Sequence, residues 1–180
     1  MIIFMGIAGS GKGTQTKLFA ERDGYQVIST GELLRLYGSE EQRSRMLSGH
    51  ILRDEEVTAL LDKALQAMPD QNKVLLDGYP RRISQADWLL KQQKENRFDL
   101  TGVIHLVARR ETVKKRLEYR GRPDDHDRAI EERFNAYEKA TEPILKYFSE
   151  VGVPVREIDA ERSIEDVHSA VMAAVNQMSS

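Results

Sequence analysis

Short apolar runs alternate with longer stretches of helical period along the chain. Residues 2–5, 27–28, 74–76, 103–107, and 153–155 together with Ile158 predict strands. Most of these runs are continuously apolar or β-branched, the pattern of strands covered by helices on both faces. Between them, Val57, Leu60, Leu61, Ala64, Leu65 and Met68 recur at i, i+3, i+4, i+7, i+8 and i+11 and predict a helix. Ile130, Phe134, Tyr137, Thr141, Ile144, Leu145 and Phe148 form a longer stripe. Pro143 is expected to kink or restart that helix, since proline lacks an amide hydrogen and its ring collides with the preceding turn. Ser163 followed by Asp166 resembles a capping signal before Ile164, Val167, Val171, Val175 and Met178. Trp88, on the apolar face of 86–90, reads as core packing. Strand–helix alternation implies βαβ units, a parallel sheet and right-handed crossovers, an α/β architecture. Polar stretches at 38–48 and 121–128 interrupt the pattern. The first lies in a long helical excursion between the second and third strands, a natural place for a small subdomain.

Composition narrows the picture. A chain of 180 residues suggests one domain and can bury about 70% of its unfolded surface. With 40% hydrophobic and 31% charged residues it is expected to be globular, not disordered. The 27 Lys+Arg against 29 Asp+Glu argue against a protein that mainly holds nucleic acid, so any anion site must be a local concentration of positive charge. The absence of cysteine excludes a disulfide scaffold and any thiolate zinc site, and is compatible with a reducing compartment. No signal peptide is visible after Met1, and no run of ~18 apolar residues occurs. The expectation is a cytoplasmic protein with neither membrane nor nucleic acid as partner. The four histidines share no ligand spacing and read as structural or surface groups.

The strongest chemical signal follows the first predicted strand. Gly6-Ile7-Ala8-Gly9-Ser10-Gly11-Lys12 is a G-x-x-x-x-G-K loop between a strand and a helical stretch. Its glycines let successive N–H groups of Gly9, Ser10, Gly11, Gly13 and Thr14 curl toward phosphate oxygens, and the helix adds its positive end. Lys12 supplies a mobile point charge. Gly13 stands where a Ser or Thr usually ligates Mg²⁺, so the metal is expected to be held through water and nucleotide. Asp77, at the end of the third predicted strand, is the candidate to hold Mg²⁺ through water.

Further segments give the chain a family resemblance. Residues 9–15, then Ser29-Thr30-Gly31-Glu32-Leu33-Leu34-Arg35, Asp77-Gly78-Tyr79-Pro80-Arg81 with Gln85, and Arg116, Arg120, Arg122 and Arg133 are similar, in order, to the motifs of the adenylate kinase family. The resemblance implies a three-layer αβα P-loop NTP hydrolase fold with a five-stranded parallel sheet in order 2-3-1-4-5. It implies a single kinase domain over 1–180, with a monophosphate-binding helical excursion at about 30–57 and a minimal lid at about 120–127. It implies reversible transfer of the terminal phosphoryl group from Mg·ATP to AMP, giving two ADP, by a cytoplasmic monomer. Lys12, Arg81, Arg120, Arg122 and Arg133 would be catalytic. ATP would meet residues 9–14, Arg116, Arg120 and the Arg162 loop. AMP would meet Thr30, Gly31, Arg35, the backbone of His50, Ile51 and Leu52, then Gly78, Tyr79, Pro80, Arg81, Gln85, Arg122 and Arg133. Asp124 and Asp125 would organise the lid arginines. Each arginine also has a physical reading: two polyphosphates repel, and the planar guanidinium fork suits phosphate oxygens. Arg82, Arg109 and Arg110 have no motif role and read as solvated charges.

Thr30 and Gln85 favour AMP over the pyrimidine monophosphates, because a Gln amide offers an adenine edge both a donor and an acceptor. A pyrimidine or broad-specificity monophosphate kinase is the alternative enzyme, and a non-catalytic nucleotide-binding module the alternative of another class. The chain departs from the family pattern in three places. Only Gly121 separates Arg120 from Arg122, the 35–49 excursion is trimmed, and Arg53 replaces a proline. A zinc-binding lid is absent. The short lid is expected to raise wasteful ATP hydrolysis, and the trimmed excursion to loosen acceptor selectivity.

Overall fold

The computed structural model describes residues 1–47, 52–122, 125 and 127–179. Five parallel strands, β1 (Ile2–Met5), β2 (Gln26–Ser29), β3 (Val74–Asp77), β4 (Gly102–Val107) and β5 (Val155–Asp159), form one sheet in the order β2-β3-β1-β4-β5. The helices are α1 (Lys12–Asp23), α2 (Thr30–Tyr37), α3 (Glu40–Leu47), α4 (Asp54–Gln66), α5 (Ile83–Lys94), α6 (Arg110–Arg120), α7 (Asp127–Glu150) and α8 (Ile164–Met178). The strand order is the one implied by the resemblance.

Every residue of β1 is buried because the strand feeds two cores. Ile3 and Met5 pack with Leu61, Leu65, Leu89 and Phe148 from the α4, α5 and α7 side. Ile2 and Phe4 face Phe19 of α1 and Val171 and Val175 of α8. Continuous apolar runs are the sequence expression of that two-sided burial. A third cluster of Ile7, Val113, Leu117, Ile130 and Phe134 seats the loop after β1 on α6 and α7. The Ser163 hydroxyl accepts the Asp166 amide hydrogen and caps α8.

Two expectations are corrected. Helix α7 runs unbroken through Pro143. Pro143 lies on the solvent face between buried Thr141 and Ile144, and the carbonyl it cannot serve belongs to exposed Lys139, where water can hydrate it. Strand β5 begins at Val155, not Val153. The Val153 amide instead donates to the Phe148 carbonyl at 2.9 Å, and Pro154 has no amide hydrogen for the ladder. Within the expected helical excursion, the polar stretch at 38–48 contains α3, which has no buried residue and therefore no apolar stripe to announce it.

Candidate active site

The parallel register brings the carboxyl ends of β1 and β3 side by side, with Phe4 opposite Asp77. The chain leaves β1 through Gly6, whose φ of 142° and neighbourhood both demand glycine: a Cβ there would lie 2.5 Å from the Leu106 carbonyl oxygen. The loop then delivers Gly11 as the left-handed cap of α1. Above it opens a cavity of about 880 Å³ at the carboxyl edge of the sheet, where open α/β sheets bind ligands.

Lys12 folds back over the loop, its ammonium donating to the Gly6 and Ile7 carbonyls at 2.8 and 3.0 Å, with Asp77 at 3.9 Å. Burial pulls the Lys12 ammonium below its ordinary 10.5. Asp77 opposes that shift, while Arg81, Arg120 and Arg133 reinforce it. Arg81 projects into the cavity with its Nε donating to the Gly78 carbonyl at 3.0 Å. Crowding by protein atoms lowers its pKa; Asp77 opposes, and Arg133 and Arg35 add to the lowering. The cavity is thus a cluster of mutually repelling cations.

Asp125 gathers the cations at the turn between α6 and α7. Arg120 grips its carboxylate with two bonds of 2.8 and 2.6 Å, Arg133 donates at 3.2 Å, and the Arg122 amide at 3.2 Å. Only 1% of the Asp125 side chain is exposed. Burial would raise its carboxyl, but the hydrogen bonds and charge of Arg120, with help from Arg122 and Arg133, hold it below its ordinary 3.8. The turn is closed by Gly121, in the left-handed conformation at φ 61° as the cap of α6. On the opposite side, Arg116 spans the Ser10 and Ala160 carbonyls at 3.3 and 2.9 Å, tying α6 to the glycine loop and the segment after β5.

Among residues singled out by sequence, Gly9, Ser10, Gly11, Lys12, Gly13, Thr14, Gly31, Arg35, Asp77, Gly78, Tyr79, Pro80, Arg81, Arg116, Arg120, Arg122, Arg133 and Arg162 line this one cavity. Thr30 and Gln85 are buried and do not form its wall. The Thr30 hydroxyl donates to the Asp77 carbonyl at 3.3 Å. Leu52 is buried in the α4-side core. His50, Ile51 and Asp124 lie outside the described residues. The arginines left without a motif role all find carboxylates: Arg82 meets Asp54, Arg109 meets Glu161, and Arg110 meets Glu131 and Glu138.

The structure adds residues that sequence reasoning placed elsewhere. Tyr137, read only as part of the α7 apolar stripe, lines the cavity, and its hydroxyl meets Nε2 of buried His105. Glu157 approaches the other ring nitrogen at 3.4 Å. Burial lowers the His105 pKa from 6.5; Glu157 opposes, and Lys12 adds to the lowering. His105 falls on the same strand run as Val103 and Val107, so only its polarity within an apolar strand could have drawn notice. As for metals, no group of three or more His, Cys, Asp or Glu side chains among the described residues could hold an ion. Asp77 is a single carboxylate beside Lys12, a donor set suited to a cation carried largely by phosphates and water.

A sheet of this order, with a glycine loop between β1 and α1 and a cationic cavity over it, defines a P-loop nucleotide-binding protein. Comparison with known proteins narrows the class. The sequence matches the family model described as adenylate kinase over residues 4–153. It is 36% identical over 177 residues to the adenylate kinase of Prochlorococcus marinus (strain MIT 9301), covering 94% of this chain and 95% of that protein. It is 37% identical over 182 residues to adenylate kinase isoenzyme 1 of Sus scrofa, covering 95% and 91%. With the adenylate kinase of Corynebacterium urealyticum, 35% identity extends over 98% of this chain and 99% of that protein. The chain belongs to the adenylate kinase family, whose members are phosphotransferases.

Proposed function

We propose that this protein reversibly transfers the terminal phosphoryl group of ATP to AMP, giving two ADP. The observation that carries the reading is the convergence of Lys12, Arg81, Arg120 and Arg133 on one cavity, close enough that the arginines depress the Lys12 ammonium. A protein gains nothing from packing such cations together unless an anion of high charge sits among them. Phosphoryl transfer asks chiefly for this, charge stabilisation and in-line positioning.

The elements divide the work. Backbone amides of residues 9–14 cradle the ATP phosphates, and Lys12 swings from the loop carbonyls onto the terminal ones. Arg116, braced on Ser10 and Ala160, lies on the adenine side of ATP with the Arg162 loop. Arg35 and Arg81 hold the monophosphate within the 30–57 excursion. Thr30, Gly31, Gly78, Tyr79, Pro80, Gln85 and the 50–52 backbone surround its nucleoside. Arg120 and Arg122 of the 120–127 lid, with Arg133 of α7, neutralise the group in transfer once Arg120 and Arg133 exchange Asp125 for phosphate. Mg²⁺ bound with ATP supplies further positive charge to the phosphates, and Asp77 is the residue that would hold it through water. We extend the reading to a cytoplasmic monomer serving nucleotide interconversion, with no nucleic-acid or membrane partner. No described helix is long and apolar enough to cross a membrane.

A coupled assay of ADP formation from ATP, Mg²⁺ and AMP tests the proposal. The wild type should turn over, and Lys12→Met should lose at least ~100-fold in kcat, the scale of removing one preorganised charge from a transition state. A wild type that binds both nucleotides yet forms no ADP refutes the reading.

A further inference from the structure

Gln85 sits in the first turn of α5 with its amide buried, and its two ends meet partners of opposite kind. Its Oε1 accepts the Arg81 backbone N–H at 2.7 Å, and its Nε2 donates to Asp54 Oδ1 at 2.9 Å. A backbone N–H can only donate and a carboxylate can only accept, so both contacts enforce the same amide orientation. Turned over, the amide would set NH₂ against an N–H and C=O against a carboxylate. One N–H on Nε2 and one lone pair on Oε1 remain for a ligand.

Asp54 is itself fixed. It is the first residue of α4 and follows Leu52 by two positions. Its carboxylate also accepts from Arg82 Nη1 at 3.1 Å and from the Ser84 hydroxyl. The Arg82 and Gln85 contacts share Oδ1, whereas the Ser84 hydroxyl holds Oδ2, so the carboxylate stays anchored toward Gln85 when the Arg82 ion pair is removed. Asp54 joins the helix that follows the 50–52 segment to the start of α5, clamping together two parts of the chain that the proposed function sets around one base.

We infer that Asp54 is a positioning residue for acceptor discrimination: by locking the Gln85 amide in one orientation, it makes the enzyme select a 6-amino purine monophosphate and reject a 6-oxo purine. The inference rests on the proposed role of Gln85 at the acceptor base. Adenine presents a donor at the 6-amino group and an acceptor at N1. A 6-oxo purine presents an acceptor at O6 and a donor at N1. The two edges require the amide's donor and acceptor in opposite order, so an amide that cannot turn over serves one of them. A site whose buried polar groups are fixed rejects the mismatched ligand strongly, because binding leaves those groups unpaired.

The test measures kcat/KM for AMP and for inosine monophosphate at saturating Mg·ATP, in the wild type and in Asp54→Ala, Asp54→Ser and Arg82→Ala, with thermal unfolding of each. Serine is favoured at helix starts but is too short to reach the Gln85 amide, so it carries the test if the alanine variant does not fold. Both Asp54 variants should lower the AMP-to-inosine-monophosphate preference about tenfold or more and raise KM for AMP, with KM for ATP unchanged. Arg82→Ala removes the outer ion pair while keeping the Gln85 contact, and should hold the wild-type preference within about twofold. Asp54 variants with the wild-type preference, or an Arg82 variant that loses as much of it, overturn the inference alone. A wild type that does not phosphorylate AMP overturns the proposed function itself and this inference with it.

Discussion

Replacing Asp125 by Asn is the sharpest perturbation of the proposed lid. The change is isosteric, so no cavity opens, and its effect is electrostatic. In the wild type the carboxylate takes two bonds from Arg120 and one from Arg133, and its side chain is 1% exposed. Hydrogen bonds to charged groups contribute ~1.5–3 kcal/mol against ~0.5–1.5 for neutral ones, so each arginine loses about 1–2 kcal/mol. Arg120 is 31% exposed and partly screened, which puts the total near 2–3 kcal/mol. For a domain of this size each kcal/mol moves Tm by ~2–4 °C, so nucleotide-free Asp125→Asn should melt about 4–12 °C below wild type at pH 7. Because the native carboxyl is held below its ordinary 3.8, its contribution is complete above that value and is lost as pH falls through the lower folded one. The Tm gap should therefore narrow steadily below about pH 4. Thermal unfolding followed by circular dichroism across pH 2–8 reads both effects. A gap that is absent at pH 7, or that is unchanged in acid, refutes the account of Asp125 as counter-ion to the two arginines.

Two further outcomes follow from the same geometry. With only Gly121 between Arg120 and Arg122, the enzyme should release phosphate from Mg·ATP without acceptor more readily than longer-lid relatives; a phosphate-release assay showing a negligible rate contradicts this. Arg116→Ala removes the brace between Ser10 and Ala160 and should raise KM for ATP about tenfold or more, as expected for one charge-assisted contact, with KM for AMP little changed; steady-state kinetics with each nucleotide varied gives the comparison.

What could be read from the sequence followed from what repeats or constrains. The three inner strands β3, β1 and β4 were legible because burial on both faces leaves mostly apolar residues, and the loop around Gly9, Gly11 and Lys12 because a phosphate cradle permits few side chains. Strand β5 starts later than its apolar run because the Val153 amide is taken by Phe148 and Pro154 has none, and exposed Arg156 and Glu157 interrupt the run before Ile158. Helix α3 stayed hidden for want of any buried face. Pro143 was expected to kink or restart the helix, and no restart occurs because Thr141, Ile144 and Phe148 anchor the helix on both sides. Asp54 and the His105–Tyr137 pair were invisible for another reason. Asp54 and Gln85 are 31 positions apart, and His105 and Tyr137 are 32 apart, so only the fold reveals what each side chain meets.

The left-handed Gly121 has a last consequence. One extended residue spans at most ~3.6 Å, too little for backbone to arch over a polyphosphate. Water must then be displaced by the guanidinium groups of Arg120, Arg122 and Arg133 themselves. A cover made of side chains, two of them already pinned to Asp125, has few backbone residues left to order on closing, at ~1–2 kcal/mol per residue. Its opening and shutting become an exchange of one anion for another, so its rate should answer to ionic strength more than to temperature.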